Sequence, residues 1–108
     1  MKSYTDIKQS KKLAEFLPIE SADLCYIANS ELINIHEPFF KKMDEGDIPC
    51  WSLAALLNVL PDDCGIDKEN GKYVASYIIS DECGCYTENN PVDSCVIVIE
   101  YLHELKIL

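Results

Sequence analysis

The chain has 108 residues, the size of a single domain, so residues 1–108 are treated as one folding unit. With 48% hydrophobic and 26% charged residues, its composition is that of a globular protein and excludes an intrinsically disordered chain. The formal net charge is −10 and the chain contains no arginine. We therefore expect no direct nucleic-acid partner, unless the N-terminal lysines act alone, because neutralising phosphates requires a surplus of cations.

The N-terminal segment predicts an amphipathic helix. Apolar residues recur at helical spacing from Ile7 to Leu17, with lysines on the opposite side, and Pro18 ends the pattern. Ser3 and Asp6 resemble a capping box that has aspartate in place of the usual glutamate. We therefore expect the helix to begin immediately after Ser3.

Two stretches that follow have the alternating side chains of β-strands. The first covers residues 24–28 and the second residues 31–36, with Asn29 and Ser30 suited to a tight turn between them. This pattern predicts an antiparallel hairpin. Residues 37–47 are then expected to form a loop or one short helical turn.

The stretch "DIPCWSLAALLNVLPDD" predicts the middle helix. Asp47 would be its N-cap, Pro49 would lie in the first turn, where a missing N–H has no cost, and Pro61 would stop it. Its apolar residues extend nearly all round, so this helix is expected to be central in the fold. The residues expected in the core are Trp51, Leu53, Leu56 and Leu57, together with Val96 and Ile99 near the C-terminus.

The last third of the chain predicts a strand pair and a helix. An Asn-Gly dipeptide at 70–71 is typical of a hairpin turn, residues 73–79 are rich in β-branched and aromatic side chains, and residues 83–88 can pair back against them. Asn90 can cap a helix that has Pro91 in its first position, although the run "CVIVIEY" also has the propensity of a strand. The capping residues and the length of the segment favour the helix.

The predicted order of elements is α-β-β-α-β-β-β-α. This order is typical of an α+β domain in which a small antiparallel sheet of about four or five strands packs against three helices. The longest apolar runs are far too short to cross a bilayer, and no apolar segment follows the first lysine as in a signal peptide. We therefore expect a cytoplasmic protein with no membrane partner.

Three stretches together carry a resemblance: "QSKKLAEFLPIESADL" (9–24), "IPCWSLAALLNVLP" (48–61) and "NNPVDSCVIVIEYLHELKIL" (89–108). In this order they resemble a family of uncharacterised small proteins found in gut bacteria, their phages and other mobile elements. The cysteine-rich "CGC" departs from the family, in which more polar residues are expected ahead of the last helix. The resemblance implies a shared fold and a mobile-element origin, but it implies no activity.

Four cysteines are candidate metal ligands. Cys83 and Cys85 would point to the same face of a strand, and Cys64 and Cys95 could complete a four-thiolate zinc site. However, zinc sites usually combine two close pairs, and the same cysteines fit equally well as free thiols, with Gly84 at a bend. We therefore expect no metal and no cofactor.

A catalytic hypothesis depends on Cys50. The predicted helix places this residue in its first turn, where the helix dipole favours a thiolate, and His103 or His36 would be the base. Against catalysis, no glycine-rich oxyanion segment precedes Cys50, and His103 is expected near the C-terminal end of a long helix, where histidine suits the dipole. The alternative is that Cys50 simply begins the apolar face of its helix.

The leading functional hypothesis is a non-enzymatic module that binds another protein or a second copy of itself. The rival hypothesis is a small cysteine hydrolase. Residues 92–102 carry apolar side chains on more than one side of the predicted helix, so Val98 and Tyr101 are expected at the interface of a homodimer. The alternative is that the whole helix is central and covered by its own chain.

Overall fold

The structure, a computed structural model, describes residues 1–27, 32–34, 46–79 and 82–108. It confirms the α+β class and the predicted order of helices and strands, with one short strand added ahead of the middle helix. A 3-10 helix, Ile19–Ser21, follows the first α-helix. The α-helices are α1 (Ile7–Ala14), α2 (Leu53–Val59) and α3 (Pro91–Glu104), and the strands are β1 (Leu24–Tyr26), β2 (Leu32–Asn34), β3 (Ile48–Cys50), β4 (Gly65–Glu69), β5 (Lys72–Ile79) and β6 (Glu82–Glu88).

The described strands form two antiparallel sheets of three strands each, where a single sheet was expected. β1 lies between β2 and β3 in the first sheet, and β5 lies between β4 and β6 in the second. The predicted pairing of β1 with β2 is confirmed, and so is the hairpin of β4 and β5 around the left-handed residues Asn70 and Gly71. The turn predicted at Asn29-Ser30 and most of the loop predicted at 37–47 lie outside the described residues.

The first helix begins three residues later than predicted. Asp6 is its N-cap: its carboxylate accepts a hydrogen bond from the Gln9 N–H at 2.7 Å, and the Gln9 side chain accepts one from the Asp6 N–H at 3.1 Å. The capping box is therefore Asp6 with Gln9, and not Ser3 with Asp6. Ser3 instead accepts a backbone hydrogen bond from Leu53, which ties the N-terminus to the start of α2.

The predicted start of the middle helix at Asp47 is wrong. Pro49 lies in β3, an extended segment that pairs with β1, and α2 begins only after Ser52. Ser52 is the N-cap, because its hydroxyl accepts a hydrogen bond from the Ala55 N–H at 3.2 Å. β3 is an edge strand of the first sheet. Proline is tolerated in an edge strand, because its missing N–H can lie on the side that has no neighbouring strand.

The final helix follows the sequence prediction closely. Asn90 is its N-cap and accepts a hydrogen bond from the Asp93 N–H at 2.9 Å, and Pro91 lies in its first turn. α3 packs against β5 and β6 on one side and against α2 on another, so it is α3 that is central in the fold. None of the helices in the described segments has the length and apolar character needed to cross a membrane.

The core lies between α3, the inner face of the second sheet, and α1 and α2. The predicted burial of Trp51 and Leu56 is confirmed, and Leu53 is half-buried. Leu57 was expected in the core but its side chain is 38% exposed. The reason is that α2 packs against α3 with the side that carries Leu53, Leu56 and Leu60, and Leu57 lies about 100° further round the helix. The buried apolar residues of α3 include the predicted Val96 and Ile99.

Candidate functional site

Cys50 lies in a closed cluster of polar groups. Its thiol is fully buried and donates a hydrogen bond to the Thr5 carbonyl at 3.3 Å. The Thr5 hydroxyl is 2.7 Å from the Ser10 hydroxyl and accepts a hydrogen bond from the Trp51 N–H at 3.1 Å. The Tyr26 hydroxyl donates to the same Thr5 carbonyl at 2.7 Å. The cluster holds the N-terminal segment against β3, which is a structural role.

The environment of Cys50 opposes its use as a nucleophile. Burial raises the pKa of the Cys50 thiol above its ordinary value, although neighbouring hydroxyls offset part of this effect. The residue ends β3 and does not lie in the first turn of a helix, so the expected helix dipole does not act on it. A reactive cysteine needs an accessible thiolate, and this thiol is neither accessible nor readily ionised.

His103 belongs to a different group of contacts. Its ring stacks on Phe16 with a centroid distance of 3.9 Å, and its Nδ1 atom lies 2.8 Å from the Leu108 carbonyl oxygen. None of these partners belongs to the Cys50 cluster. His36, the other candidate base, lies outside the described residues. The described structure therefore does not assemble the thiol and imidazole that the hydrolase hypothesis requires.

The four candidate metal ligands are also separated. Cys95 is fully buried in α3, where burial raises its pKa to about 11, and Cys64 packs against the core. Cys83 and Cys85 are exposed on β6. Within the described segments no three histidine, cysteine or acidic side chains come close enough to share a metal ion. The four-thiolate site considered from the sequence is therefore not formed.

The glycine of the "CGC" stretch explains the outward direction of both thiols. Gly84 lies opposite Tyr77 in the register of β5 and β6, and the Tyr77 ring occupies the space where a side chain would be. Because neighbouring residues of a strand point to opposite faces, Cys83 and Cys85 face away from the core. The predicted strand is confirmed, and its pairing with β5 continues through Gly84 without the predicted bend.

The two residues expected at a dimer interface have partners within the chain. Val98 is fully buried, so it offers no surface to a second copy. Tyr101 is half-buried: its hydroxyl donates to Glu82 at 2.6 Å, and its ring lies 5.2 Å from Tyr77 and 6.0 Å from Tyr86, between centroids. Val98 and Tyr101 of the final helix are thus covered by residues of the same chain. This agrees with the alternative interpretation of the sequence, in which the helix is central and needs no second copy.

A groove that the sequence did not reveal lies between the 3-10 helix, α2 and the C-terminal residue. Its volume is about 490 Å³, within the range of sites that hold a ligand or a few side chains of a partner. The segments that form it include a short 3-10 helix and a chain end, which carry no periodic signal. Its lining residues are Leu17, Pro18, Glu20, Ser21, Asp23, Ala54, Ala55, Asn58, Val59 and Leu108.

A network of hydrogen bonds holds the two walls of this groove together. The Trp51 indole N–H donates to the Ser21 hydroxyl at 2.9 Å, and that hydroxyl donates to the Pro18 carbonyl. Asp23 accepts from the Ser52 N–H at 2.9 Å and also from the Ser52 hydroxyl. Because Ser52 caps α2, these bonds fix the 3-10 helix relative to α2, and the groove is preformed.

Apolar side chains line part of the groove. Ala54 is exposed, Val59 and Leu108 are half-buried, and all three line it. Ile19 and Leu57, which are exposed on the 3-10 helix and on α2, are not among its lining residues. Exposed apolar surface within a groove is typical of binding sites.

The charged residues of the groove are acidic. Glu20 and Asp23 line it, and no lysine is among the described residues that do so. The Asp23 carboxylate is engaged by Ser52, whereas Glu20 is exposed. The groove therefore combines apolar surface with negative charge.

Comparison of the chain with protein families, with curated proteins and with solved structures found no match. The functional assignment therefore depends on the geometry and chemistry of the chain itself.

Proposed function

We propose that the protein is a non-enzymatic protein-binding module, and that its docking site is the groove between the 3-10 helix and α2. The ligand that fits this site is a short amphipathic segment of a partner protein that carries lysine or arginine. The observation that carries the proposal is a preformed groove whose lining combines apolar side chains with the carboxylates of Glu20 and Asp23.

The apolar part of the groove supplies affinity. Ala54 is exposed and Val59 and Leu108 are half-buried in its lining, so a partner that covers them removes further apolar surface from water. Covering one such side chain contributes on the order of 1 kcal/mol. The polar network at Ser52 and Asp23 keeps the walls in place, so binding needs little reordering of this part of the chain.

The negative charge of the groove favours a partner segment that is positively charged. Glu20 and Asp23 attract a cationic segment, and the net charge of −10 adds long-range attraction for it. The same charge disfavours a second copy of the chain, which would bring −10 of its own to the interface. A basic partner is therefore favoured over the homodimer.

The hydrolase hypothesis has less support, because Cys50 is enclosed and its pKa is raised by burial. The cytoplasmic location and the mobile-element origin expected from the sequence stay predictions that accompany this proposal.

The proposal is tested with synthetic peptides and paired variants. A basic amphipathic peptide and an acidic peptide with the same apolar residues are titrated into the protein and followed by fluorescence anisotropy. We expect the basic peptide to bind, and we expect Ala54→Glu and Glu20→Lys each to weaken it by at least about tenfold.

The matched controls lie outside the groove. Ala14→Glu makes the same change as Ala54→Glu at an exposed alanine of α1, and Asp67→Lys repeats the charge reversal of Glu20→Lys on β4. Both controls should leave the affinity nearly unchanged. Equal effects of control and groove variants, or equal binding of the acidic peptide, would reject the groove as the docking site.

A further inference from the structure

The outer face of the second sheet carries a pair of exposed thiols. Cys83 and Cys85 are both free and exposed, and they lie on one face of β6 because Gly84 between them faces the core. In the register of the sheet, Cys83 lies opposite Ile78 and Cys85 lies opposite Ser76. This face is separate from the groove, since none of its residues lines that site.

The spacing of the pair does not suit a disulfide. Residues two apart on one strand have Cα atoms, and parallel Cβ atoms, roughly 6.6 Å apart. A disulfide needs Cβ atoms about 3.5–4.5 Å apart, so closing one would require the backbone of β6 to move. The pairing of β6 with β5 holds that backbone on both sides of Gly84.

A metal ion between the two sulfurs fits the same spacing. A metal–thiolate bond is about 2.3 Å long, so two sulfurs bound to one ion in a line are about 4.6 Å apart. Each sulfur then has to lean about 1 Å towards the other from its Cβ position, which a choice of staggered side-chain rotamer provides. The strand itself can stay in place.

The number of ligands selects the ion. Thiolates are soft ligands that favour Cu(I) and zinc, but zinc sites hold four ligands. Among the residues that the structure describes, no third histidine, cysteine or acidic group joins this pair. Cu(I) has a filled d shell and binds two thiolates in a linear arrangement without further ligands. We propose that Cys83 and Cys85 form a two-thiolate site for one Cu(I) ion.

The surrounding sheet supports this site. Tyr77 packed over Gly84 fixes which face of β6 is turned outward, so both sulfurs are presented together. A slip of one residue in the register would turn both of them into the core. The exposed side chain of Ile78, beside Cys83, supplies an apolar neighbour for a soft ion.

Binding releases protons in a defined number. Each thiol loses its proton when its sulfur coordinates Cu(I), so one ion replaces two protons and the site gains one negative charge. Because ligand thiols must be deprotonated, the affinity should rise with pH.

The test is a titration of the reduced protein with Cu(I) under anaerobic conditions, in competition with a colorimetric Cu(I) chelator. We expect one equivalent to bind. Cys83→Ser and Cys85→Ser should each weaken binding by at least about a hundredfold, since either change leaves a single thiolate. X-ray absorption at the copper edge should show two sulfur neighbours.

Cys64→Ser is the matched control, because Cys64 is only partly exposed and packs against the core. It should leave the affinity within about threefold of the wild type. Circular dichroism checks that all three variants are folded. Three or four sulfur neighbours, half an equivalent of copper in a dimer, or single serine variants that bind as the wild type does would overturn the proposal.

Discussion

The ring of Tyr77 lies directly over Gly84 on the neighbouring strand. A Cβ atom added to Gly84 would be 2.5 Å from the Tyr77 hydroxyl oxygen and 2.7 Å from the ring carbon that carries it. The two residues are paired in the register of β5 and β6, so an aromatic ring covers a glycine across the sheet. The ring also contacts Tyr86 and Tyr101, which join the sheet to α3.

Gly84→Ala should destabilise the protein because the added methyl group collides with the Tyr77 ring. We expect a loss of about 1–3 kcal/mol in the free energy of unfolding, measured by urea denaturation. Gly65→Ala is the control, since a Cβ atom at Gly65 meets nothing within 4 Å. A Gly84→Ala variant as stable as Gly65→Ala would show that the ring does not occupy this space.

Leu56→Ala and Leu57→Ala should differ, although the residues are neighbours on α2. Leu56 is fully buried, so its truncation should cost about 2–5 kcal/mol, whereas that of the partly exposed Leu57 should cost less than about 1 kcal/mol. Urea denaturation of both variants measures the two values. Equal losses would mean that α2 does not have the orientation described.

Acid should weaken the link between the N-terminus and α3. Asp93 accepts hydrogen bonds from Lys2 at 2.9 Å, from Gln9 at 2.8 Å and from Asn90 at 2.7 Å. Burial opposes ionisation of Asp93, but the three hydrogen bonds outweigh it, and the pKa of this carboxyl is lowered from 3.8. A carboxyl with a lowered pKa stabilises the fold above its unfolded pKa and loses that contribution as the pH falls through the folded pKa.

We therefore expect the free energy of unfolding to fall below about pH 4, and part of this fall to be absent in Asp93→Asn. At pH 7 the same variant should be less stable by about 1 kcal/mol, because a neutral amide binds Lys2 more weakly than a carboxylate does. Asp67→Asn, at an exposed position of β4, is the control. If the free energy of unfolding of Asp93→Asn depends on pH in the same way as that of the wild type, the Asp93 carboxyl does not cause the loss of stability in acid.

Alkali should destabilise the protein through its buried thiols. Burial raises the pKa of Cys95 from 9.0 to about 11. The unfolded chain therefore ionises first, so the contribution is complete below pH 9 and is lost as the pH rises towards 11, by up to about 2–3 kcal/mol. Chemical denaturation of wild type and Cys95→Ala between pH 8 and pH 11 measures it. The variant should show a smaller decrease over this range, and an equal decrease would contradict the assignment.

Local signals made the final helix predictable. Asn90 and Pro91 mark its start in the sequence, and the structure has both in those positions. The middle helix was harder, because Pro49 fits the first turn of a helix and an edge strand equally well. Only the pairing of β3 with β1, a contact between residues distant in the chain, decides between them.

The candidate sites were harder to predict from the sequence than the final helix. The same-face arrangement of Cys83 and Cys85 follows from strand alternation alone, but the burial of Cys95 and Cys50 depends on tertiary packing. The groove depends on a Trp51 to Ser21 hydrogen bond between separate segments, which no local pattern encodes.

The most direct test of the proposed function is two-dimensional ¹H–¹⁵N NMR of the labelled protein during titration with the basic amphipathic peptide. We expect chemical-shift changes concentrated at residues 18–23 and 54–59 and at Leu108, the segments that form the groove. The amides of β4, β5 and β6 should change little. Changes concentrated on those strands would contradict a docking site in the groove. Changes spread evenly over the described residues would also contradict it, because they would indicate nonspecific attraction between the basic peptide and the acidic protein.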